Sequence, residues 1–491
     1  MGSELMLRLP LGWAMKPLIE CTSDNIISYG VVQPGSHTET GIPIIRVNNF
    51  GNGKLDLSTV LKIEPEIEKK FSRTRLVGGE VLLTLVGSTG QSIVASKELA
   101  GWNVPRAVAV IRPSNDIGAN WINICLQTEF TKHFLDSRAN TTVQKTLNLA
   151  DVKKIPIPIP PRDVKDFIES NIISLDNKIQ LNRQTNQTLE AMAQALFKSW
   201  FVDFDPVFDN IIAHNLAHNN APLHNIPEPL LPHAQRRLNV QNVARGSARQ
   251  TAAHAFHHLF PQAFEQSDEP SVGIQGWVPK GWGAVAMESL VDIASSKRVF
   301  AKDYKEKGVP FFRGKEISEL SKGNKINTEI FISEEKFEEL KNLSGIPKEG
   351  DILITSVGTI GNTYQVTRDD RFYFKDGNLT WIKAYKKVFM PHFIMEWFRN
   401  SAGIEAIERI KIGTTQQAIT IKGLNKILIV NAPKNILLEF EAICSSLYRK
   451  IGKNIKETSS LESLRDTLLP KLISGELRIP DAEQATEALA K

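Results

Sequence analysis

The sequence predicts an α+β protein: two similar α/β domains, each followed by a long helix, with the helices paired as a coiled coil. Three observations predict it. Most of the chain is written twice, each copy begins with short β-rich runs and ends in helical ones, and after each copy apolar residues recur at alternating steps of four and three. Length agrees, since 491 residues exceed the roughly 250 to 300 at which a single hydrophobic core stops growing.

The repeat is visible residue by residue. Gly12-Trp13 returns as Gly281-Trp282 at an offset of 269, and Gly41-Ile-Pro-Ile-Ile-Arg46 returns as Gly308-Val-Pro-Phe-Phe-Arg313 at 267. Gly79-Glu-Val-Leu-Leu-Thr-Leu-Val-Gly-Ser-Thr-Gly90 matches Gly350-Asp-Ile-Leu-Ile-Thr-Ser-Val-Gly-Thr-Ile-Gly361 at an offset of 271. Thr141-Thr-Val-Gln144 answers Thr414-Thr-Gln-Gln417, and the proline-rich run from Lys154 to Pro161 answers that from Lys426 to Pro433. Strands are expected at 42–47, 80–86 and 107–111 in the first copy, and at 351–357 and 379–382 in the second. Helix-like spacing follows from Ala119 to Ser137 and opens again at Phe393.

Two long seams come next. Ile168, Ile172, Leu175, Ile179, Asn182, Asn186, Leu189, Ala193, Leu196 and Trp200 step by four and three, and a shift of 272 gives Phe440, Cys444, Leu447, Ile451, Asn454, Thr458, Leu461, Arg465, Leu468 and Leu472. That period is a coiled-coil seam. Leu175, Ile179, Asn182 and Leu189 are therefore expected to pair with Leu447, Ile451, Asn454 and Leu461, with Asn182 and Asn454 at one corresponding position as a register-fixing polar pair. The alternative is two amphipathic helices, each lying on its own domain. Between the copies, from Pro206 to Pro270, seven of the ten histidines and seven of the 25 prolines collect among Asn and Ala, which is linker composition. His254, His257 and His258 have helical metal-site spacing, but no Cys or acidic cluster completes a ligand set, so no metal is expected.

Composition and motifs exclude more than they assign. Runs such as Val81-Leu82-Leu83 fall far short of the roughly 18 apolar residues that cross a bilayer. Met1 to Pro10 carries Glu4 and Arg8 without a signal-peptide pattern, and Cys21, Cys125 and Cys444 are too dispersed for a disulfide framework, so a reducing cytoplasm is expected. With 59 basic and 54 acidic residues, the net charge of +5 permits nucleic acid as a partner without requiring it. No Walker loop, dinucleotide fingerprint, zinc-protease motif, serine elbow or nuclease-like acid cluster is present. Gly87-Ser-Thr-Gly90 lacks a following lysine and reads as a tight hairpin. The chain is expected to do no chemistry itself.

The candidate functional residues are polar and basic side chains on predicted loops. In the first copy they are Arg46, Asn48, Asn49, Arg73, Arg75, Arg106, Thr142, Gln144 and Lys145. In the second they are Arg313, Lys315, Lys322, Lys325, Lys375, Asn378, Thr415, Gln416 and Gln417. Such residues suit DNA, because Arg reads guanine with its fork, Asn and Gln read adenine, and Lys holds phosphates. Taken singly, each reads by default as a solvated surface residue, and Thr141-Thr142 and Thr414-Thr415 are equally turn or capping residues.

Over nearly its whole length the chain resembles the DNA-specificity subunit of type I restriction-modification enzymes. Gly12-Trp13, Gly41 to Arg46, Arg73 to Gly90 and Leu259-Phe-Pro-Gln-Ala-Phe264 running to Trp282 carry the resemblance, and Leu461 to Leu477 carries it most strongly. It implies two target recognition domains related by a pseudo-twofold repeat, each reading half of a split double-stranded DNA site. Between them it implies antiparallel helices that act as spacer and as docking sites for two methyltransferase subunits. S-adenosylmethionine, ATP and magnesium are implied on those methyltransferase partners and on restriction or motor subunits, with no cofactor on this chain. The expected layout is a first recognition domain at 1–160, spacer helix at 161–205, linker at 206–274, second recognition domain at 275–433, distal helix at 434–478 and tail at 479–491. From 210 to 258 the chain is longer and richer in histidine than the family pattern. The rival readings are an assembly scaffold without DNA specificity and, more remotely, an enzyme with an unrecognised site.

Overall fold

The computed structural model describes residues 9–51, 53–139, 146–219, 221–244, 256–324 and 326–477. The chain falls into two compact units, one made of residues up to Arg183 together with those from Ile455 onward, the other of Gln184–Asn454. Both divisions fall inside long helices. Each unit therefore holds one mixed α/β body and a part of each helix.

The first unit is built on a four-stranded antiparallel sheet ordered Thr22–Tyr29, Val108–Pro113, Val81–Thr84, Ser92–Val94. Its central strand is apolar on both faces, so Val81 and Leu83 join Ala109, Ile111, Trp121 and Ile122 in one core while Leu82 joins Val108 and Val110 in another. Alternation along the pleat sends successive residues to opposite sides. The second unit repeats this with Asp292–Ala294, Leu379–Lys383, Ile352–Thr355 and Thr363–Gln365. There Ile352 and Ile354 share a core with Ile382, and Leu353 faces Leu379 and Trp381.

Each unit brings the start and end of its copy together before the long helix leaves. Ala14–Pro17 pairs with Pro156–Ile159, and Gly283–Ala286 pairs with Leu428–Asn431, as isolated two-stranded ribbons. A two-stranded ribbon leaves outward-facing positions without ladder bonds, which is where strand prolines fit. The stretch expected as one helix from Ala119 to Ser137 is two, Ala119–Gln127 and Glu129–Asp136, because Thr128 stops the first and caps the second by accepting from Thr131 N–H at 3.2 Å. Asn400 does the same between Pro391–Arg399 and Ser401–Ile410, accepting from Ala402 N–H at 2.8 Å. Side-chain oxygens at this position satisfy helix N–H groups that have no intrahelical partner.

The long helices are Arg162–Phe197 and Lys434–Ser474, 36 and 41 residues. In the first unit Asp176 accepts from Arg465, Arg183 donates to Glu462 and Asn182 donates to Glu457, so the two segments run antiparallel. In the second unit Asn454 Nδ2 donates to Asn186 Oδ1 at 2.8 Å, in the same sense. Ile179, Asn182, Ile451 and Asn454 are buried and Leu175, Leu189, Leu447 and Leu461 half-buried, as the seam requires. Within their own units, Asn182 bonds to Glu457 and Asn454 to Asn186. In an antiparallel pair, corresponding positions face each other only at the centre, so each asparagine meets a residue one turn along its partner helix. Arg465, which interrupts the apolar pattern, turns its guanidinium to Asp176 and Asp466.

Two expectations are corrected here. The first long helix does not run to 205: after Phe197 it widens into a π turn, Lys198–Val202, and ends where Phe204 adopts a left-handed φ of 53°. The expected linker is instead folded. Asp205–Asn219 and Leu231–Ala244 are helices whose Phe208, Ile212, Leu230 and Ala234 are buried in the main core of the second unit. Asp209, nearly fully buried, binds the Arg237 fork and Gln241. Histidine and proline content masked these apolar positions. Residues 257–259 form a 3-10 turn rather than a helix, so His257 and His258 lack the helical spacing of a metal site, and His254 lies outside the described residues. Among the described residues, no group of His, Cys, Asp and Glu could hold a metal, and no helix is long and apolar enough to cross a membrane.

Candidate nucleic-acid interface

The repeated Thr of each Gly-to-Gly motif closes a hairpin. Thr84 Oγ1 donates to Ser88 O at 2.6 Å and accepts from Gln91 N–H at 3.0 Å, while Thr355 Oγ1 donates to Thr359 O and accepts from Asn362 N–H at 3.0 Å. The glycine motif is thus a turn on the sheet rather than a phosphate cradle. One residue beyond, Leu85 N–H donates to Ala107 O at 2.7 Å and Ser356 N–H to Asn378 O at 2.8 Å. Their own carbonyls accept from Leu147 N–H at 2.8 Å and Ile419 N–H at 3.0 Å. Antiparallel bridges Val86 to Thr146 and Val357 to Ala418 complete the junction. Thr146-Leu147 in the first copy and Ala418-Ile419 in the second therefore join the fold at the same sheet end.

In the second unit that segment is an exposed loop on a rigid stem. Ile412 and Ala418 exchange both backbone hydrogen bonds at 2.9 Å, and Thr415, Gln416 and Gln417 are exposed between them. Gly413 makes the turn, with φ 90° and a Cβ position that would lie 2.6 Å from Gln416 O. Asn378 is half-buried at the foot of this loop, and Lys375 is tied by its N–H to Phe312 O at 2.9 Å. Lys315 is exposed, 3.9 Å from Glu329. Thr142, Gln144, Lys145 and Lys325 lie outside the described residues.

In the first unit Asn103 gathers three segments. Its carbonyl accepts from Ile45 N–H at 2.9 Å, and its Nδ2 donates to Glu68 Oε1 at 2.9 Å and Phe71 O at 3.1 Å. This places Arg46, Arg73 and Arg106 on loops that meet at one residue. Asn48, Arg73 and Arg106 are exposed; Arg46 is half-buried, and its Nε has no hydrogen-bond partner. Arg112 fixes the Arg73 backbone from below, donating to Arg73 O at 2.8 Å and Arg75 O at 3.1 Å.

Four candidate residues are otherwise engaged. Asn49 is buried, accepting from Arg46 N–H at 2.8 Å and donating to Asp56 O at 2.8 Å and Thr59 O at 3.2 Å. Glu316 occupies the matching place in the second unit, accepting from Arg313 N–H at 2.8 Å. Asn49 is thus a turn-closing residue. Arg75 spends its fork on Glu68, and that bond holds the Glu68 carboxyl below its usual range. Arg313 spends its own on Glu316 at 2.8 and 3.3 Å. Such pairs occupy the donors that would contact a base. Lys322 is likewise paired, with Glu319 at 2.9 Å.

One exposed arginine escaped the sequence reading. Arg298, in the loop after Asp292–Ala294, is paired with Asp376, two residues before Asn378. The run Ser295-Ser-Lys-Arg-Val-Phe300 carries the signal, with Ser296 and Val299 buried and Lys297, Arg298 and Phe300 exposed, but it has no counterpart in the first copy. The three cysteines are free and buried; burial pushes the Cys21 thiol up to about 11, which leaves it unreactive.

Comparison with known proteins bears on this arrangement. A family model described as type I restriction modification DNA specificity domain matches residues 36–191 and 279–456. The type I restriction enzyme HindI specificity subunit of Haemophilus influenzae is 26% identical over 449 residues, covering 86% of this chain and 90% of its own. The type I restriction enzyme MjaIX specificity subunit of Methanocaldococcus jannaschii is 22% identical over 411 residues, covering 82% and 78%. The crystal structure of an S subunit from a type I restriction-modification system of M. genitalium aligns at a TM-score of 0.47 and 12% identity, over 94% of this chain and 96% of that one.

Proposed function

Because the chain belongs to the family of type I restriction-modification specificity subunits, with two DNA-recognition domains in tandem, we propose that each unit reads one half of a bipartite duplex target. The long helices fix the distance between the halves and dock two methyltransferase subunits, and restriction or motor subunits join that assembly. S-adenosylmethionine, ATP and magnesium act on those partners, and this chain supplies sequence selection without chemistry.

The observation that supports this reading best is the doubled junction. The same sheet order, threonine-closed hairpin and loop re-entry occur at offsets of 271 or 272 residues, so one reading surface is offered twice. Around it the available side chains differ, with Arg73, Arg106 and Asn48 in the first unit and Arg298, Lys315, Thr415, Gln416 and Gln417 in the second. A common stem bearing different loops suits two unlike half-sites.

Binding of the purified chain to duplex DNA across a salt series tests the reading. Phosphate contacts release counterions, so affinity should fall steeply and linearly on a log–log plot, by roughly 10³-fold or more between 50 and 200 mM salt if six or more phosphates are contacted. Methyl transfer should appear only when methyltransferase subunits are added. Salt-independent association, or no DNA binding with partner docking intact, would leave the scaffold reading in place instead.

A further inference from the structure

We propose that Arg298 reads a guanine in the half-site of the second unit, with Asp376 as its positioning residue. The inference deepens the DNA-reading function and rests on it.

Arg298 differs from three other paired arginines. Arg75, Arg313 and Arg371 each give two nitrogens to one carboxylate, which uses up the planar edge that could face a base. Arg298 gives only Nε, to Asp376 Oδ2 at 2.9 Å, and its two terminal nitrogens bond to nothing among the described residues. The side chain is 67% exposed, so the pair contributes little to stability. What it provides is direction. With Nε held, NH1 and NH2 form a fixed outward fork, the geometry that matches O6 and N7 of guanine in the major groove.

Both partners hang from the same two buried aromatics. Ser296 Oγ donates to Phe374 O at 2.8 Å, Lys297 N–H donates to Tyr373 Oη at 2.9 Å, and Val299 is buried just beyond. Asp376 follows Phe374 by two residues. The fork is therefore set before any ligand arrives, which lowers the ordering cost of binding. It also sits beside the junction already described, since Asn378 carries the carbonyl that receives Ser356 N–H.

A phosphate also accepts an arginine fork, so the experiment must separate base from backbone. Methylated sites would be mapped on a random-sequence duplex library with the full chain reconstituted with its methyltransferase subunits. Arg298→Ala, Arg298→Lys, Asp376→Ala and, as a control with an occupied fork, Arg371→Ala would be compared with the parent, with thermal melts checking that each is folded. Arg298→Ala and Arg298→Lys should each lose preference for one guanine, in one half-site, by roughly ten- to a hundred-fold, with every other position unchanged. Asp376→Ala should weaken the same guanine by less, and Arg371→Ala should change nothing. Unaltered guanine preference in Arg298→Ala, recovery by Arg298→Lys, or a uniform loss of affinity across all sequences would overturn the proposal. A parent complex that methylates without sequence preference would instead overturn the DNA-reading function beneath it.

Discussion

The two units share a backbone scheme and differ in what holds the helix behind the sheet. In the second, Glu441 from the long helix accepts from Phe393 N–H at 2.8 Å and lies 2.7 Å from His392 Nδ1, while the buried Glu396 accepts from Tyr448 Oη beside Arg399. In the first, Glu169 holds the place of Glu441 and takes a backbone hydrogen bond from Trp121, but the place of Glu396 is taken by Ile124 and that of Arg399 by Gln127. Sheet, hairpin and helix breaks are therefore dictated by apolar period and a few Thr and Asn hydroxyls and amides. The buried cluster of Glu396, Tyr448 and Arg399 is particular to the second unit. A frame that tolerates such different fillings also tolerates different loops, which is what two independent readers require.

The largest expected effect comes from lengthening both long helices. Inserting one heptad after Arg183 and another after Asn454 preserves the seam period and adds ~10.5 Å of rise. Methylation should move to sites whose spacer is longer by about three base pairs, with both half-site sequences unchanged. Methylation confined to the original spacing would show that the helices only dock partners.

The next prediction sharpens the comparison by striking one unit alone. Phe208 is fully buried in the second unit's core although it lies in the segment that composition marks as linker. Phe208→Ala should cost about 3–5 kcal/mol. Calorimetry should show the second unit melting earlier and the first unmoved. An unchanged profile would restore the linker assignment.

The smallest effect is electrostatic. Burial raises the Glu396 carboxyl above its ordinary value, with Tyr448, Arg399 and His392 opposing. The folded chain therefore holds this proton more tightly than the unfolded one, so the contribution to stability is full below the ordinary glutamate value of about 4.3 and falls as pH rises through the raised one. Glu396→Gln keeps an acceptor for Tyr448 and removes the titration. It should flatten the pH dependence of the second unit's melting and raise its midpoint at pH 8 by a few degrees, the equivalent of ~1 kcal/mol. The first unit, with Ile124 at that place, should be unaffected. An equal slope in parent and variant would assign the pH dependence to other groups.

How much of this is legible in the sequence depends on whether a feature is periodic. The sheets follow from Gly79 to Gly90 and Gly350 to Gly361, because strand alternation and a hairpin threonine repeat together. The seam follows from a strict four-three step. The helical hairpin at 205–244 does not, because its apolar residues are sparse and interleaved with histidine. The site is legible only by residue type: Asn49 and Glu316 fill one structural role with different side chains, so no pattern marks Asn49 as buried. Arg75 and Arg313 look like base readers until Glu68 and Glu316 are seen to occupy them, and Arg298 depends on Asp376, 78 residues away.

The central claim is that one chain carries two separable readers. It is tested most directly by replacing residues 12–155 with the equivalent domain of a relative of different specificity and mapping the methylated sequence of the reconstituted complex. One half of the recognised sequence should change to that of the donor while the other half and the spacer stay as they were. A change in both halves, or loss of recognition in a complex that still assembles, would contradict the account.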